Sequence, residues 1–185
     1  MKISRIIIFI VSFILLVNNI GFAETKTKLY RNQDWQFSIK IPVEFEYMES
    51  RGPNVIMNSK IINDDSRASI NIIAKLIDNE FNFSEIELLQ YLQEGRKNAY
   101  KNHPNMKLID SKIFDIPNHK ILGEHWLTRH TYPKETFYLE SFLFTILCGQ
   151  KFYTITYAVE PAKLEFYNNK FLESISSFVD ETGWY

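Results

Sequence analysis

Apolar and polar residues alternate along several stretches of the chain, and two stretches switch to helical spacing. Trp35, Phe37, Ile39 and Ile41 alternate with Gln36, Ser38 and Lys40. That period of two marks a half-buried strand, which Pro42 ends because proline has no amide hydrogen for a ladder. Residues 54–62 read as a further strand. Residues 68–77 resume the alternation, with Ile70, Ile72, Ala74 and Leu76 on one face. The Asn63-Asp64-Asp65-Ser66 cluster between them is turn chemistry, so the two strands are expected to form a hairpin. The polar residues 24–29 read as a frayed start.

Ser84 followed by Glu87 is a capping box, in which the hydroxyl and the carboxylate satisfy free amides at a helix start. Phe83 and Leu88 are spaced as its hydrophobic staple. Leu88, Leu92, Gly95 and Ala99 then form an expected inward stripe, flanked by Leu89 and Tyr91, and the helix must stop before Pro104. Four strands follow, at 106–116, 120–132, 136–148 and 151–159. They are separated by Pro117-Asn118, Pro133-Lys134 and the Gly-first pair Gly149-Gln150, the last expected to make a type II′ hairpin. Residues 137–147 are apolar on both faces, which predicts a central strand covered on both sides. Pro161 opens a last helix, along which Leu164, Tyr167, Phe171, Ile175 and Phe178 keep three/four spacing. Residues 180–185 read as a tail. Short connections make the later strands antiparallel neighbours, and two helices against a sheet make an α+β or αβα layered domain.

The first 23 residues have a different character. Lys2 and Arg5 precede an apolar run from Ile6 to Val17, and Gly21-Phe22-Ala23 supplies small residues for cleavage. This is the layout of a secretory signal peptide, cleaved after Ala23. A retained anchor is the other reading, but twelve residues span only about 18 Å as a helix against a hydrocarbon core of roughly 30 Å. Glu24 stands where a lipid-anchored protein needs Cys. The expected mature chain, residues 24–185, is a single domain without stable membrane insertion, placed in the periplasm or the medium. Removing 23 of 185 residues leaves 162, and losing Lys2 and Arg5 takes the formal charge from −1 to −3. A mildly acidic chain without a basic run excludes nucleic acid and anionic lipid as expected partners.

The densest polar stretch runs from Gly123 to His130, with His119 just before it. His and Glu are metal ligands, but Glu124 and His130 share a strand face about 20 Å apart, as do His119 and His125 on the other. Ligands would have to come from other strands, so a solvated strand face is the favoured reading and no metal is expected. There is no G-x-S-x-G elbow, no H-E-x-x-H and no Gly-rich phosphate loop, so no catalytic residue and no cofactor is assigned. Cys148, the one cysteine, sits among apolar neighbours that favour a buried, protonated thiol. Trp126, Tyr132 and Tyr138 are candidate protein-contact residues if they gather on one part of the sheet. Packing beneath a helix or loop is the alternative.

Several segments carry a family resemblance. They are Phe37-Ser38-Ile39-Lys40-Ile41-Pro42, Ala68-Ser69-Ile70-Asn71-Ile72 and the closing stretch from Gly149 to Tyr157. The aromatic helix ending Ile175-Ser176-Ser177-Phe178 completes the set. With this order of elements the chain resembles the PsbP-like superfamily, and within it the exported bacterial DcrB-type proteins. The resemblance implies a central antiparallel sheet flanked by helices. It also implies a binding or accessory role without catalysis, since members with known roles mostly bind other proteins, as in photosystem II assembly and Ran-dependent nuclear import. The expectation is therefore a non-enzymatic exported protein acting on an envelope or extracellular protein. A periplasmic small-ligand or metal-ion carrier is the alternative, and a cryptic hydrolase stands third.

Overall fold

The computed structural model describes residues 26–48, 52, 54–61, 67–77 and 84–182. The cleavage segment, the turn cluster at 63–66 and Phe83 lie outside them. The strands are β1 (Thr27–Asn32), β2 (Phe37–Pro42), β3 (Phe45–Met48), β4 (Val55–Ile61) and β5 (Ser69–Leu76). Helix α1 (Glu85–Tyr100) is followed by β6 (Met106–Ile116), β7 (His119–Tyr132), β8 (Glu135–Cys148) and β9 (Lys151–Val159). A 3₁₀ turn at Pro161–Lys163 leads into α2 (Leu164–Ser176), and β10 (Val179–Asp180) closes the order.

Every paired strand is antiparallel. A seven-stranded sheet runs β3-β4-β5-β9-β8-β7-β6 and a three-stranded sheet runs β1-β2-β10. Turn chemistry sets the registers. Asn118 takes φ 67° between Ile116 and His119, a conformation asparagine tolerates, and Gly149 takes φ 57° between Cys148 and Lys151.

The large sheet has two unlike faces. Its core face carries Ile70, Ile72, Ile121, Phe144, Ile146, Tyr153, Ile155 and Tyr157, and a mixed layer of the small sheet and α2 covers it. Phe37 of β2 meets Tyr153 at 5.3 Å and Phe178 at 5.6 Å between ring centres, and Tyr157 meets Phe171 at 4.7 Å. The Tyr157 hydroxyl donates to Ser174 Oγ, which donates to the Lys40 carbonyl, so one hydrogen-bonded chain joins sheet, helix and small sheet. The opposite face is covered by α1 through a smaller cluster of Leu89, Leu122 and Leu147.

The antiparallel α+β organisation matches the expectation, but the two-helix-layer picture needs correction. Helix α1 packs mainly on β6 and β7 and reaches β8 at Thr145 and Leu147, and α2 shares the other face with a sheet. Residues 27–29, part of the 24–29 stretch expected to fray, belong to β1, because β2 offers residues 27–32 a full ladder. The short β3 was hidden behind Pro42. Leu76 is 71% exposed at the end of its strand, although Ile70, Ile72 and Ala74 are buried. On α1 the inward line is Leu89, Gln93 and Arg96; of the expected stripe, Leu88 and Leu92 pack half-buried beside it, while Gly95 and Ala99 face outward. Phe178 lies beyond the end of α2 yet remains in the core.

Candidate functional site

Strand β7 deals its side chains alternately to the two faces. Glu124, Trp126, Thr128, His130 and Tyr132 project on the α1 face, and His125, Leu127 and Arg129 on the core face. What meets each of them decides which can act.

The capping box holds as expected. Ser84 Oγ accepts from the Glu87 amide, and the Glu87 carboxylate accepts from the Ser84 amide at 2.8 Å. That start phases α1 so that Gln93, Arg96 and Tyr100 come down on the sheet. Gln93 Nε2 donates to Ser111 Oγ at 2.9 Å, and Arg96 Nη1 donates to the Glu124 carboxylate and to Thr145 Oγ1 at 3.0 Å. Tyr100 stands edge-on to Trp126 with ring centres 5.4 Å apart. Glu124 is wholly buried, and the Arg96 guanidinium is its charge partner there. Its second oxygen, Oε1, and Trp126 Nε1 are buried without a partner among the described residues. The arrangement is a charge pair between α1 and the sheet, with Arg96 a fifth exposed and Glu124 buried.

The core face holds two more polar pairs. His125 Nε2 meets the Glu140 carboxylate, and its ring stacks on Phe142 at 4.4 Å and 16°. Cys148 Sγ lies 3.7 Å from His119 Nδ1, the pairing a thiol nucleophile would need. Burial nonetheless pushes the thiol up to about 12, and the nearby carboxylates of Asp180 and Glu85 add to the shift. It therefore stays protonated at neutral pH and is a poor nucleophile. The four residues considered as metal ligands are thus dispersed. Glu124 meets Arg96, His125 meets Glu140, His119 meets Cys148, and His130 meets Phe137. Among the described residues, no three His, Cys, Asp or Glu side chains converge on a point that could hold an ion.

The three candidate contact residues do not gather, which corrects the single aromatic patch. Trp126 is 2% exposed, beneath Tyr100. Tyr132 is 57% exposed on the same face but six residues further along β7, and Tyr138 is 47% exposed on the opposite face, because it pairs with Arg129. Around Tyr132 the structure builds something the sequence reading missed. The rings of His130 and Tyr132 lie nearly parallel to that of Phe137, at 5.1 Å and 5.8 Å. The Arg67 guanidinium caps Phe137 at 3.8 Å and bridges to Glu135 at 2.7 Å and Glu160 at 3.6 Å. Arg67 pays for this position with a left-handed backbone, φ 47°, which non-glycine residues adopt at a cost. Only the strand parity of Phe137, His130 and Tyr132 was readable beforehand, and Arg67 left no local signal.

No protein-family model and no curated protein sequence matches this chain. Solved structures do. CyanoP, the PsbP protein of Synechocystis sp. PCC 6803, superposes with TM-score 0.60 at 12% identity, over 88% of this chain and 97% of its own. The fold is PsbP-like. The PsbP-like arrangement recurs in the Ran-binding protein Mog1p of Saccharomyces cerevisiae, with TM-score 0.58 at 10% identity over 85% and 96% of the two chains. It recurs again in LpqN of Mycobacterium tuberculosis, a protein involved in cell envelope biogenesis, with TM-score 0.52 at 7% identity over 83% and 90%. At such identities the likeness concerns the fold and carries no residue of a site across.

Proposed function

We propose that this chain is an exported accessory protein of the DcrB type, which acts by contacting another protein through the turn end of the β7–β8 hairpin, the end left open by α1. One observation carries the reading. Tyr132 and Tyr138 stand exposed there, and the His130–Phe137–Tyr132 ladder and the Arg67 clamp hold that end in one shape. Rigid exposed tyrosines give large contact area for little ordering cost. Two of the structural neighbours support the class: one is named as Ran-binding and another as acting in cell envelope biogenesis. Export is supported by the basic start, short apolar run and Gly21-Phe22-Ala23 at the amino terminus.

The competing readings find less support in the same side chains. A thiol hydrolase needs an ionisable nucleophile, and burial keeps Cys148 protonated. A metal-ion carrier needs converging ligands, and those of β7 are engaged by Arg96, Glu140 and Cys148.

A photo-crosslinking residue placed at Tyr132 or Tyr138, in the protein expressed in its own cells, tests the proposal. Crosslinks to one identified protein from both positions, and none from Leu29 or Phe166 on other surfaces, are the expected result. Crosslinking that is absent at 132 and 138, or equal at all four positions, would refute the hairpin contact. Separately, the amino terminus of the exported form is expected at Glu24. Met1 retained in a membrane pellet would refute export by cleavage.

A further inference from the structure

The charges at the turn end of the β7–β8 hairpin are unevenly matched. Three carboxylates there already have partners: Glu135 and Glu160 meet Arg67 at 2.7 Å and 3.6 Å, and Glu140 is held by His125 Nε2. The cations beside them do not. Arg129, Lys134 and Lys107 are exposed, and none of the three makes a side-chain hydrogen bond or ion pair among the described residues. The chain as a whole carries a formal charge of −1, so a positive surplus at this end runs against its average.

Strand register places these cations. Arg129 pairs with Tyr138, so the guanidinium and the exposed phenol project side by side from the face opposite α1. Lys107 pairs with Leu127, and the Arg129 amide donates to the Asn105 carbonyl at 2.8 Å. Lys107 therefore stands diagonally across from Arg129 on the same face. Lys134 occupies the turn that joins Tyr132 to Glu135. On that face the next carboxylate along β6 is Asp110, paired with His125, which is four residues and about 13 Å down β7 from Arg129.

We infer that the partner presents an acidic segment to this end of the hairpin, with its carboxylates on Arg129, Lys107 and Lys134. The inference rests on the hairpin contact proposed above and adds the chemistry of what is contacted. Arginine takes a carboxylate through two parallel N–H bonds, and tyrosine beside arginine joins two residue types that dominate protein contacts. In an extended segment, side chains two residues apart lie about 7 Å apart on one side, which is the spacing of diagonal neighbours on adjacent strands. Acidic residues at alternate positions therefore span Lys107 and Arg129. Charges arranged in this way speed encounter and select among partners.

The full chain with a photo-crosslinking residue at position 132, expressed in its own cells, tests this. Mass spectrometry of the crosslinked peptide is expected to find a partner segment with acidic residues at alternate positions. Arg129→Glu and Lys134→Glu should each cut the crosslinked fraction about tenfold, because like charges then face each other. Lys75→Glu, at an exposed lysine near the far end of β5, should leave it unchanged. Thermal melting checks that the variants fold, and if Arg129→Glu does not, Arg129→Gln should still cut the fraction about threefold. A parent protein without any crosslink at 132 would overturn the hairpin contact itself, and this inference with it. A crosslink that survives both charge reversals, or that maps to lipid or to a segment without acidic residues, would overturn this inference alone.

Discussion

The two ends of the β7–β8 hairpin, one closed over by α1 and the other, which carries the Pro133-Lys134 turn, left open by it, are built from similar residues and differ in almost everything else. At the closed end, Ile121 to Trp126 pair with Ile146 to Ser141, and most of these side chains are buried between α1 and the main core. At the open end, Arg129 to Tyr132 pair with Tyr138 to Glu135, and all of these residues are exposed or half-buried. Both ends carry aromatic and charged side chains. At the closed end Glu124 is sunk and neutralised by Arg96, and Trp126 lies under Tyr100. At the open end the charges of Arg67, Glu135 and Glu160 brace a ring ladder whose outermost tyrosines face solvent. Residue type does not separate structural from contact aromatics here. The covering element does, and α1 stops at Tyr100, short of the open end.

The comparison can be broken most forcefully at the closed end. Trp126→Ala should destabilise the protein by about 3–5 kcal/mol, the usual cost of removing a buried aromatic. Urea denaturation measures it, and a loss below about 1 kcal/mol would mean that α1 is not a real lid. Arg96→Met should cost about 3 kcal/mol, because it strands the Glu124 carboxylate in the wall. Adding Glu124→Leu should recover most of that loss, since an apolar pair tolerates burial that a lone charge does not. Two equal, additive losses would show the pair to be independent.

Gly123→Ala sharpens the same end. A methyl group there would lie 2.5 Å from the Phe114 ring, so a cost of about 1–3 kcal/mol is expected from the forced shift. Smaller still is Ser84→Ala, which removes the α1 cap and should cost about 1 kcal/mol in the same denaturation assay.

How much of this was legible follows the range of each interaction. The Ser84–Glu87 cap, the Gly149 turn and the alternation in β5 to β9 are set by residues close in sequence, and they form where the spacing places them. Strand β1 was missed because its residues are polar and its reason to be a strand lies in β2. The inward face of α1 was misjudged because apolar residues were sought at every inward position, whereas Gln93 and Arg96 are drawn in by Ser111 and Glu124, 18 and 28 residues away. The site suffered the same way. Tyr132 and Tyr138 are where strand parity puts them, on opposite faces, and that parity already argued against one patch. The Arg67 clamp reaches across 68 residues to Glu135 from a strained backbone, and nothing local announces it.

The central claim is that the open end serves a contact and the closed end serves the fold. The most direct measurement is the Tyr132→Ala/Tyr138→Ala double variant, assayed for denaturation midpoint and for crosslinking to its partner in the same preparation. The crosslinker for this assay is placed at Thr136, exposed between the two substituted positions. Stability within about 0.5 kcal/mol of the wild type, as for exposed positions generally, together with loss of the crosslinked species, is the expected result. A stability loss approaching that of Trp126→Ala, or a partner still captured by the double variant, would contradict the division of labour between the two ends.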